Sequence, residues 1–166
     1  MAAAKKKPTS PDAIALLKDD HKTVMALLES LEKSGAGPRR VKLLGQIEKE
    51  LKVHTTIEEE IFYPAFREAA KKKDDQTMFY EAVEEHRVVD MVLPQAAEGE
   101  NNEELKAKAK VLKELVEHHA DEEEKDMFPR AKQVMDKTEL RELGARMEAR
   151  KKELSGAVTP NLSSRA

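Results

Sequence analysis

Histidine and glutamate recur in this chain at a fixed distance of 65 residues. Each half of the repeat supplies one lone histidine and one His-x-x-x-Glu pair, with a proline further on. The residues related by this step are His21 and His86, His54 and His119, Glu58 and Glu123, and Pro64 and Pro129. Side chains that bind metals and repeat at one spacing predict a single site with approximate two-fold symmetry.

The segments that carry these residues have the apolar spacing of amphipathic helices. Aromatic residues make up 4% of the chain and glycine is scarce, and no alternating strand pattern is present. We predict a first helix with Ser10 as N-cap and Pro11 at its first position, and later starts at Pro38, at Asp74–Asp75 and at Asn101. Pro64 is expected to disturb or end the second helix.

Four such segments with short connections predict an all-α protein, an antiparallel up-down four-helix bundle made of two repeated helical hairpins. We expect the bundle to span residues 10–135 and an additional C-terminal helix to span 136–155. The fifth helix has an apolar side that can cap the bundle or contact another chain. The segments 1–9 and 156–166 are expected to be disordered tails.

Composition excludes several classes of function. Charged residues make up 38% of the chain but give a net charge of −3, so no nucleic-acid partner is expected. We also expect no membrane partner, because no apolar run is long enough to span a bilayer and no signal peptide is evident. The absence of cysteine fits a reducing compartment. The prediction is a cytoplasmic monomer or small homo-oligomer.

The histidines and glutamates of the repeat are the candidate metal ligands. Residues four apart point the same way on a helix, so His54 and Glu58 face the interior together, as do His119 and Glu123. Burying these groups without a cation would be very costly. The six candidates are His21, His54, Glu58, His86, His119 and Glu123. Six ligands exceed the needs of one tetrahedral zinc, which favours two adjacent ions, iron first and manganese or zinc next.

Three neighbouring residues leave alternatives open. His118 lies about 100° around the helix from His119, and the repeat selects His119, so His118 is placed beside a ligand or on the surface. Asp90 follows His86 by four residues, but its counterpart in the repeat is Met25, so symmetry does not support it as a ligand. Tyr63 is off the ideal face unless Pro64 distorts the turn.

The order of lone His, His-x-x-x-Glu, lone His and His-x-x-x-Glu on successive helices resembles the hemerythrin-like, HHE cation-binding family. Within it the chain is most similar to bacterial hemerythrin-like proteins with that motif order. The resemblance implies a non-haem di-iron centre, oxo- or hydroxo-bridged, held by the six candidates. It also implies catalase-like decomposition of hydrogen peroxide, or another role in oxidative or nitrosative stress.

Oxygen-carrying hemerythrins differ from this chain at two points. They have a second histidine four residues after the one on the third helix, where this chain has Asp90, and they end with His-x-x-x-x-Asp. With one imidazole fewer, water or peroxide chemistry at the metals becomes easier than reversible oxygen carriage. The alternative function is a module that binds or senses O₂, NO or iron without turnover. We expect the unmatched Met25 and Asp90 to mark what distinguishes the chemistry.

Overall fold

The computed structural model describes residues 10–162, and within them every regular element is a helix or a helical turn, with no strand. Four antiparallel arms form a bundle: α1, Ala13–Glu32; α2, Pro38–Ile57, continued by α3, Tyr63–Ala69; α4, Lys73–Val92; and α5, Asn102–Glu122, continued by α6, Phe128–Val134. A fifth helix, α7, spans Lys137–Ala157. Since α1 packs against α2 and α5, and α4 packs against α3 and α5, each arm has two neighbours. The predicted fold class is confirmed.

The helix starts are confirmed in part. α2 begins at Pro38, and the Asn101 side chain caps α5 by accepting the N–H of Glu104 at 2.9 Å. The predicted start at Ser10 and Pro11 is wrong, because Asp12 is the cap of α1 and accepts the N–H of Ala15 at 2.8 Å. The predicted cap at Asp74–Asp75 is also displaced. There α4 begins at Lys73, and Asp75 reaches back from inside the first turn to the N–H of Lys72.

A wide π-helical turn replaces a break at each of the repeated prolines. These turns are Glu58–Phe62, before Pro64, and Glu123–Met127, before Pro129. Proline has no N–H and its ring displaces the carbonyl four residues earlier, so a regular turn cannot continue through it. One extra residue in the turn lets the helix resume, and such turns often occur at functional sites. Glu58 and Glu123, the two glutamates among the predicted ligands, are the first residues of these turns.

The helix α7 packs on its own bundle, along α1 and α2. Leu143 and Met147 join the apolar cluster that contains Ile57. Gly144 permits this close approach, because a Cβ there would lie 2.3 Å from the backbone oxygen of Pro11. Of the two alternatives for the fifth helix, the structure therefore shows it covering the bundle.

The C-terminal segment differs from the prediction of a disordered tail over 156–166. The helix continues to Ala157, and Leu162 is buried against the bundle with its N–H donated to Glu48 at 2.8 Å. The prediction does not hold for residues 156–162, because Leu162 completes an apolar cluster. The last four residues and the predicted tail 1–9 lie outside the described range.

The apolar core consists of two clusters, one at each end of the bundle. The cluster at one end includes Leu17, Phe62 and Phe128, and the other includes Leu28 and Leu112. The predicted ligands lie between them along every arm. None of the helices in residues 10–162 has both the length and the apolar character needed to cross a bilayer.

Candidate metal centre

The structure brings all six predicted ligands together in the middle of the bundle. Their side chains come from α1, α2, α4, α5 and the two π turns, and all are buried. They are His21, His54, Glu58, His86, His119 and Glu123, and none is more than 6% exposed. All six residues lie in helices or in the π turns and none in a connecting loop, so the site is built on regular elements.

The ligand atoms form two groups that share one carboxylate. His21, His54, Glu58 and Glu123 offer atoms that all lie within 4.8 Å of one another, and so do Glu58, His86 and His119. Glu58 belongs to both groups. Its Oε1 lies 3.2 Å from His54 Nε2 and its Oε2 lies 3.2 Å from His86 Nε2. The carboxylate therefore spans the two groups.

Glu123 has a similar central position. Its Oε2 lies 3.1 Å from His21 Nε2 and 3.6 Å from His119 Nε2. The two glutamates thus each approach histidines of both halves of the repeat. This arrangement is the approximate two-fold symmetry that the sequence predicts.

Four buried atoms at this centre make no hydrogen bond to any residue that the structure describes. They are His21 Nε2, His54 Nε2, Glu58 Oε1 and Glu123 Oε2. Buried polar atoms are nearly always paired, and an unpaired one costs about 1–3 kcal/mol. Moreover, His86 Nε2 and His119 Nε2 face each other at 3.1 Å, which requires a proton or a cation between the nitrogens. The donor set therefore fits a metal ion.

Without metal, His54 and His86 carry compensating positive charge, because the pKa of each is raised. Burial alone would lower the pKa of His54, but the negative charge of the neighbouring Glu58 and the hydrogen bond to Asp20 raise it to about 10. In the same way, burial of His86 is outweighed by Glu58 and Glu59, and its pKa rises to about 9. Burial opposes ionisation of Glu58 too, yet His54 and His86 hold its pKa well below the usual range.

A ring of carboxylates holds the other nitrogen of every ligand histidine. On each arm, a carboxylate accepts the Nδ1 proton of the histidine on the next arm, and the last arm closes onto the first. The four contacts are Asp20 to His54 at 3.5 Å, Glu59 to His86 at 2.7 Å, Glu85 to His119 at 2.7 Å and Glu124 to His21 at 2.9 Å. Such partners fix the tautomer and aim Nε2 at the metal position.

The carboxylate ring follows the same repeat as the ligands. Asp20 and Glu85 are 65 residues apart, and so are Glu59 and Glu124. These contacts were not predicted from the sequence. The signal was present, since an acidic residue directly precedes each lone histidine and another directly follows each ligand glutamate. The contacts cross between arms, however, so only the packed bundle reveals them.

Tyr63 breaks the symmetry of the centre. Its hydroxyl donates to Glu123 Oε1 at 2.8 Å and lies 3.3 Å from His86 Nε2. The π turn before Pro64 places Tyr63 on the inner face of the helix. Of the two alternatives for Tyr63, the structure therefore shows the one in which the turn is distorted. Its counterpart in the repeat is Phe128, which stacks on His21 with ring centres 5.9 Å apart. One half of the centre therefore has a phenol hydroxyl, and the other half has a phenyl ring without a hydroxyl at the equivalent position.

The two remaining candidates lie outside the centre. His118 is 63% exposed and contacts Glu85 and Glu122 at the surface. Asp90 is exposed and lines a groove beside Leu162. The expectation that Met25 and Asp90 mark the distinguishing position is therefore wrong, because α4 turns Asp90 away from the interior. The asymmetry lies at Tyr63 and Phe128 instead.

Fold and site together define a metal-binding helical bundle with a histidine and glutamate ligand set. The sequence matches the family model of the Hemerythrin HHE cation binding domain over residues 12–131. The chain therefore belongs to the hemerythrin HHE cation-binding family.

The chain is also similar to several individual proteins. The chain is 34% identical over 109 residues to the uncharacterized protein Rv2633c of Mycobacterium tuberculosis, and the match covers 65% of each chain. It thus spans about two thirds of that relative's length. A DNA nickase of Nostoc is 28% identical over 113 residues, which cover 68% of this chain and 31% of the nickase. The crystal structure of an HHE domain-containing Rv2633c homologue from Mycobacterium kansasii superposes with a TM-score of 0.76, 29% identity and 89% coverage of both chains.

Proposed function

We propose that the six ligands hold two iron ions joined by an oxo or hydroxo bridge, and that the protein decomposes hydrogen peroxide in a catalase-like way. The observation that carries the proposal is Glu58, whose two oxygens face histidines of two different groups. A carboxylate in that position suits a bridge between two ions. We further propose that this activity serves oxidative or nitrosative stress in the cytoplasm, in a monomer or small homo-oligomer.

The donor set favours iron. The centre offers four imidazole nitrogens and two carboxylates, and the chain has no cysteine that could add sulfur. This mixture suits iron, with manganese or zinc as alternatives. Two octahedral ions have about twelve coordination positions between them, more than these side chains can occupy. Positions are therefore left for a small ligand.

Two bound irons supply redox capacity and Lewis acidity. In the overall reaction one peroxide is oxidised to O₂, releasing two protons and two electrons, and a second peroxide takes them up to form two water molecules. No outside reductant is needed. The work left to the chain is to admit peroxide, exclude larger molecules and hold the two protons near the centre.

Tyr63 is the residue best placed to hold a proton. Burial, followed by the charges of Glu123 and Glu58, raises its pKa well above 10, so the hydroxyl stays protonated. It also touches Glu123 Oε1 and approaches His86 Nε2, on the side of the second ligand group. A peroxide at that side would lie within reach of a neutral O–H donor. General acid catalysis requires such reach first and a suitable pKa second.

Access from solvent is narrow on this side. A surface depression of about 560 Å³ is lined by Glu59 and Phe79, among others. Phe79 packs edge-on against Tyr63, with ring centres 5.9 Å apart, and separates the depression from the phenol. The Glu59 carboxylate is 46% exposed and accepts the Nδ1 proton of His86. Peroxide and diatomic molecules are small enough for such a route, and Glu59 offers protons a path to solvent.

The test is O₂ release by the iron-loaded full chain. We expect two irons per chain and O₂ release from peroxide well above that of the same amount of free iron. Glu58→Ala should abolish both, whereas Glu29→Gln, at an exposed position of α1, should change neither. O₂ release no faster than free iron would rule out the enzymatic function, even if the metal content is as proposed.

A binding or sensing function is the second candidate, and the contact between the centre and α7 favours it. Lys151 of α7 pairs with Asp20, whose other oxygen contacts His54. A ligand that shifts His54 could therefore change the packing of α7. This function predicts reversible spectral changes with O₂ or NO, altered hydrogen exchange in α7, and no turnover of peroxide.

A further inference from the structure

A second group of histidine and glutamate side chains that could hold a metal ion lies at the surface, beside the buried centre. His118 Nε2 is 3.4 Å from Glu85 Oε1 and 3.1 Å from Glu122 Oε1, and each of the three residues offers an atom within 4.8 Å of the others. His118 is exposed, and Glu85 and Glu122 are half-buried. We call these three residues the outer cluster.

The outer cluster has the spacing of the inner ligands. His118 and Glu122 form a His-x-x-x-Glu pair one residue before His119 and Glu123. One residue rotates a helical position by about 100°, so the two pairs project from the same stretch of α5 in different directions. Imidazole and carboxylate four residues apart on a helix converge on one point, which is how the inner pair is arranged.

Glu85 links the outer cluster to the buried centre. One of its oxygens, Oε1, faces His118, and the other, Oε2, accepts the Nδ1 proton of His119 at 2.7 Å. A single carboxylate therefore separates the exposed histidine from a buried ligand. Glu85 is thus the residue of the outer cluster that can contact both an ion at the surface and a histidine of the buried centre.

The two halves of the repeat differ at this position. The counterparts of Glu85, His118 and Glu122 are Asp20, Val53 and Ile57. Val53 and Ile57 are buried apolar residues on the side that α7 covers, and Lys151 of α7 brings a positive charge to Asp20. Within residues 10–162, no helix covers the corresponding surface of the other half.

The surface depressions on the two halves show the same difference. On the α7 side, Leu16, Asp19 and Asp20 share a depression with Lys151 and Lys152. Their counterparts line a depression of about 350 Å³, whose lining residues include no lysine or arginine: Glu81, Glu84, Glu85, Val88, Leu115, His118 and Glu122. Arg87 pairs with Glu84 at the edge of this depression. Apart from Arg87 beside Glu84, the lining of this depression therefore has no counterpart to the lysines that α7 supplies in the other half.

We propose that Glu85, His118 and Glu122 bind a divalent cation of the iron, manganese or zinc class, and that metal reaches the buried centre through this outer site. Imidazole with carboxylates is a suitable donor set for these ions. The convergence of the acidic residues also concentrates cations beside Glu85, which contacts His119. The role in loading rests on the proposed function of the buried centre, but binding at the outer cluster does not.

The binding experiment uses the full chain stripped by chelator and titrated with Mn²⁺, with free Mn²⁺ measured by its electron paramagnetic resonance signal. We expect His118→Ala and Glu122→Gln each to bind one ion fewer than the wild type. Glu114→Gln, an exposed position of the same helix, should bind as the wild type does. His54→Ala separates the two sites, because it weakens the inner centre and should keep the additional ion. Equal stoichiometry in the wild type and both outer variants would overturn the site.

The loading experiment adds Fe²⁺ without oxygen to stripped protein and follows the rate at which the inner centre fills. We expect Glu122→Gln, which removes one negative charge of the outer cluster, to load about tenfold more slowly, at the low end of the effects of local charge on association. Its final inner iron content and its thermal stability when loaded should match those of the wild type. An unchanged loading rate would overturn passage through the outer site, whatever the Mn²⁺ titration shows.

Discussion

The hydroxyl of Tyr63 donates a 2.8 Å hydrogen bond to Glu123 Oε1, across the bundle from its own helix. Phe128 occupies the equivalent position in the other half and has no hydroxyl. Tyr63→Phe therefore makes the two halves alike. We expect full metal content and about 100-fold slower O₂ release from peroxide, as for loss of one positioned donor. Oxygen-electrode rates and metal analysis measure both, with the exposed Tyr80→Phe as control; equal rates in the two variants would exclude a role for the phenol.

Glu58 is shared by both groups of ligand atoms, whereas His86 belongs to one. Glu58→Ala should therefore remove both ions, and His86→Ala should leave one ion in the group formed by His21, His54, Glu58 and Glu123. Metal analysis after gel filtration distinguishes these outcomes. If Glu58→Ala retains two ions, the carboxylate is no bridge and the proposed di-iron centre is incorrect.

The carboxylate ring should govern metal affinity more than folding. Asp20→Asn removes the charge that orients His54 and should weaken metal binding about 10- to 100-fold. Asp19→Asn, at the exposed neighbouring position, should leave the affinity unchanged. Competition with a chelator of known affinity measures the difference. Similar affinities for the two variants would show that the Nδ1 contact does not orient the ligand.

Metal binding should be linked to pH through the protonated histidines. In the metal-free protein, the pKa of His54 is about 10 and that of His86 about 9, both above the ordinary value near 6.5. Their ion pairs with Glu58 stabilise the metal-free fold fully below about pH 6.5, and this contribution is lost as pH rises through the folded-state values. A metal must displace these protons, so its affinity should rise with pH.

Calorimetry tests this linkage directly. Near neutral pH, metal binding should release about two protons, seen as a binding enthalpy that depends on the ionisation enthalpy of the buffer. The gap in melting temperature between loaded and metal-free protein should widen from about pH 6 to about pH 8. A buffer-independent enthalpy would show that the histidines are already neutral before the metal binds.

Gly144 determines how closely α7 packs on α1. A Cβ at Gly144 would lie within 2.3–2.8 Å of the backbone of Pro11, Asp12 and Ala13, which cannot move aside cheaply. Gly144→Ala should lower the free energy of unfolding by about 1–3 kcal/mol. Gly156→Ala, in the same helix with nothing within 4 Å, should raise it by up to about 1 kcal/mol. Denaturant unfolding measures both, and equal effects would contradict the close packing of α7.

The repeat allowed the sequence to predict the arms, their order and the six residues that meet at the centre. It did so because helical spacing alone decides which side chains share a face, and the same spacing occurs twice. The residues at which helices begin were predicted less reliably. Asp12 rather than Ser10 caps α1, since the cap depends on which side chain reaches the free N–H groups. Asp90 has the right spacing from His86, yet its side chain faces solvent.

The chain by itself determined the helical class, the pseudo-symmetric pairing of its halves and the histidine and glutamate ligand set, because these follow from residue type and spacing along one helix. Only the tertiary structure decided which carboxylate holds which histidine, that a π turn carries Tyr63 into the centre, and that α7 covers one half and leaves the outer cluster open. Those features depend on contacts between arms far apart in sequence. Their physical basis is the packing of the bundle, which spacing along a single helix does not specify.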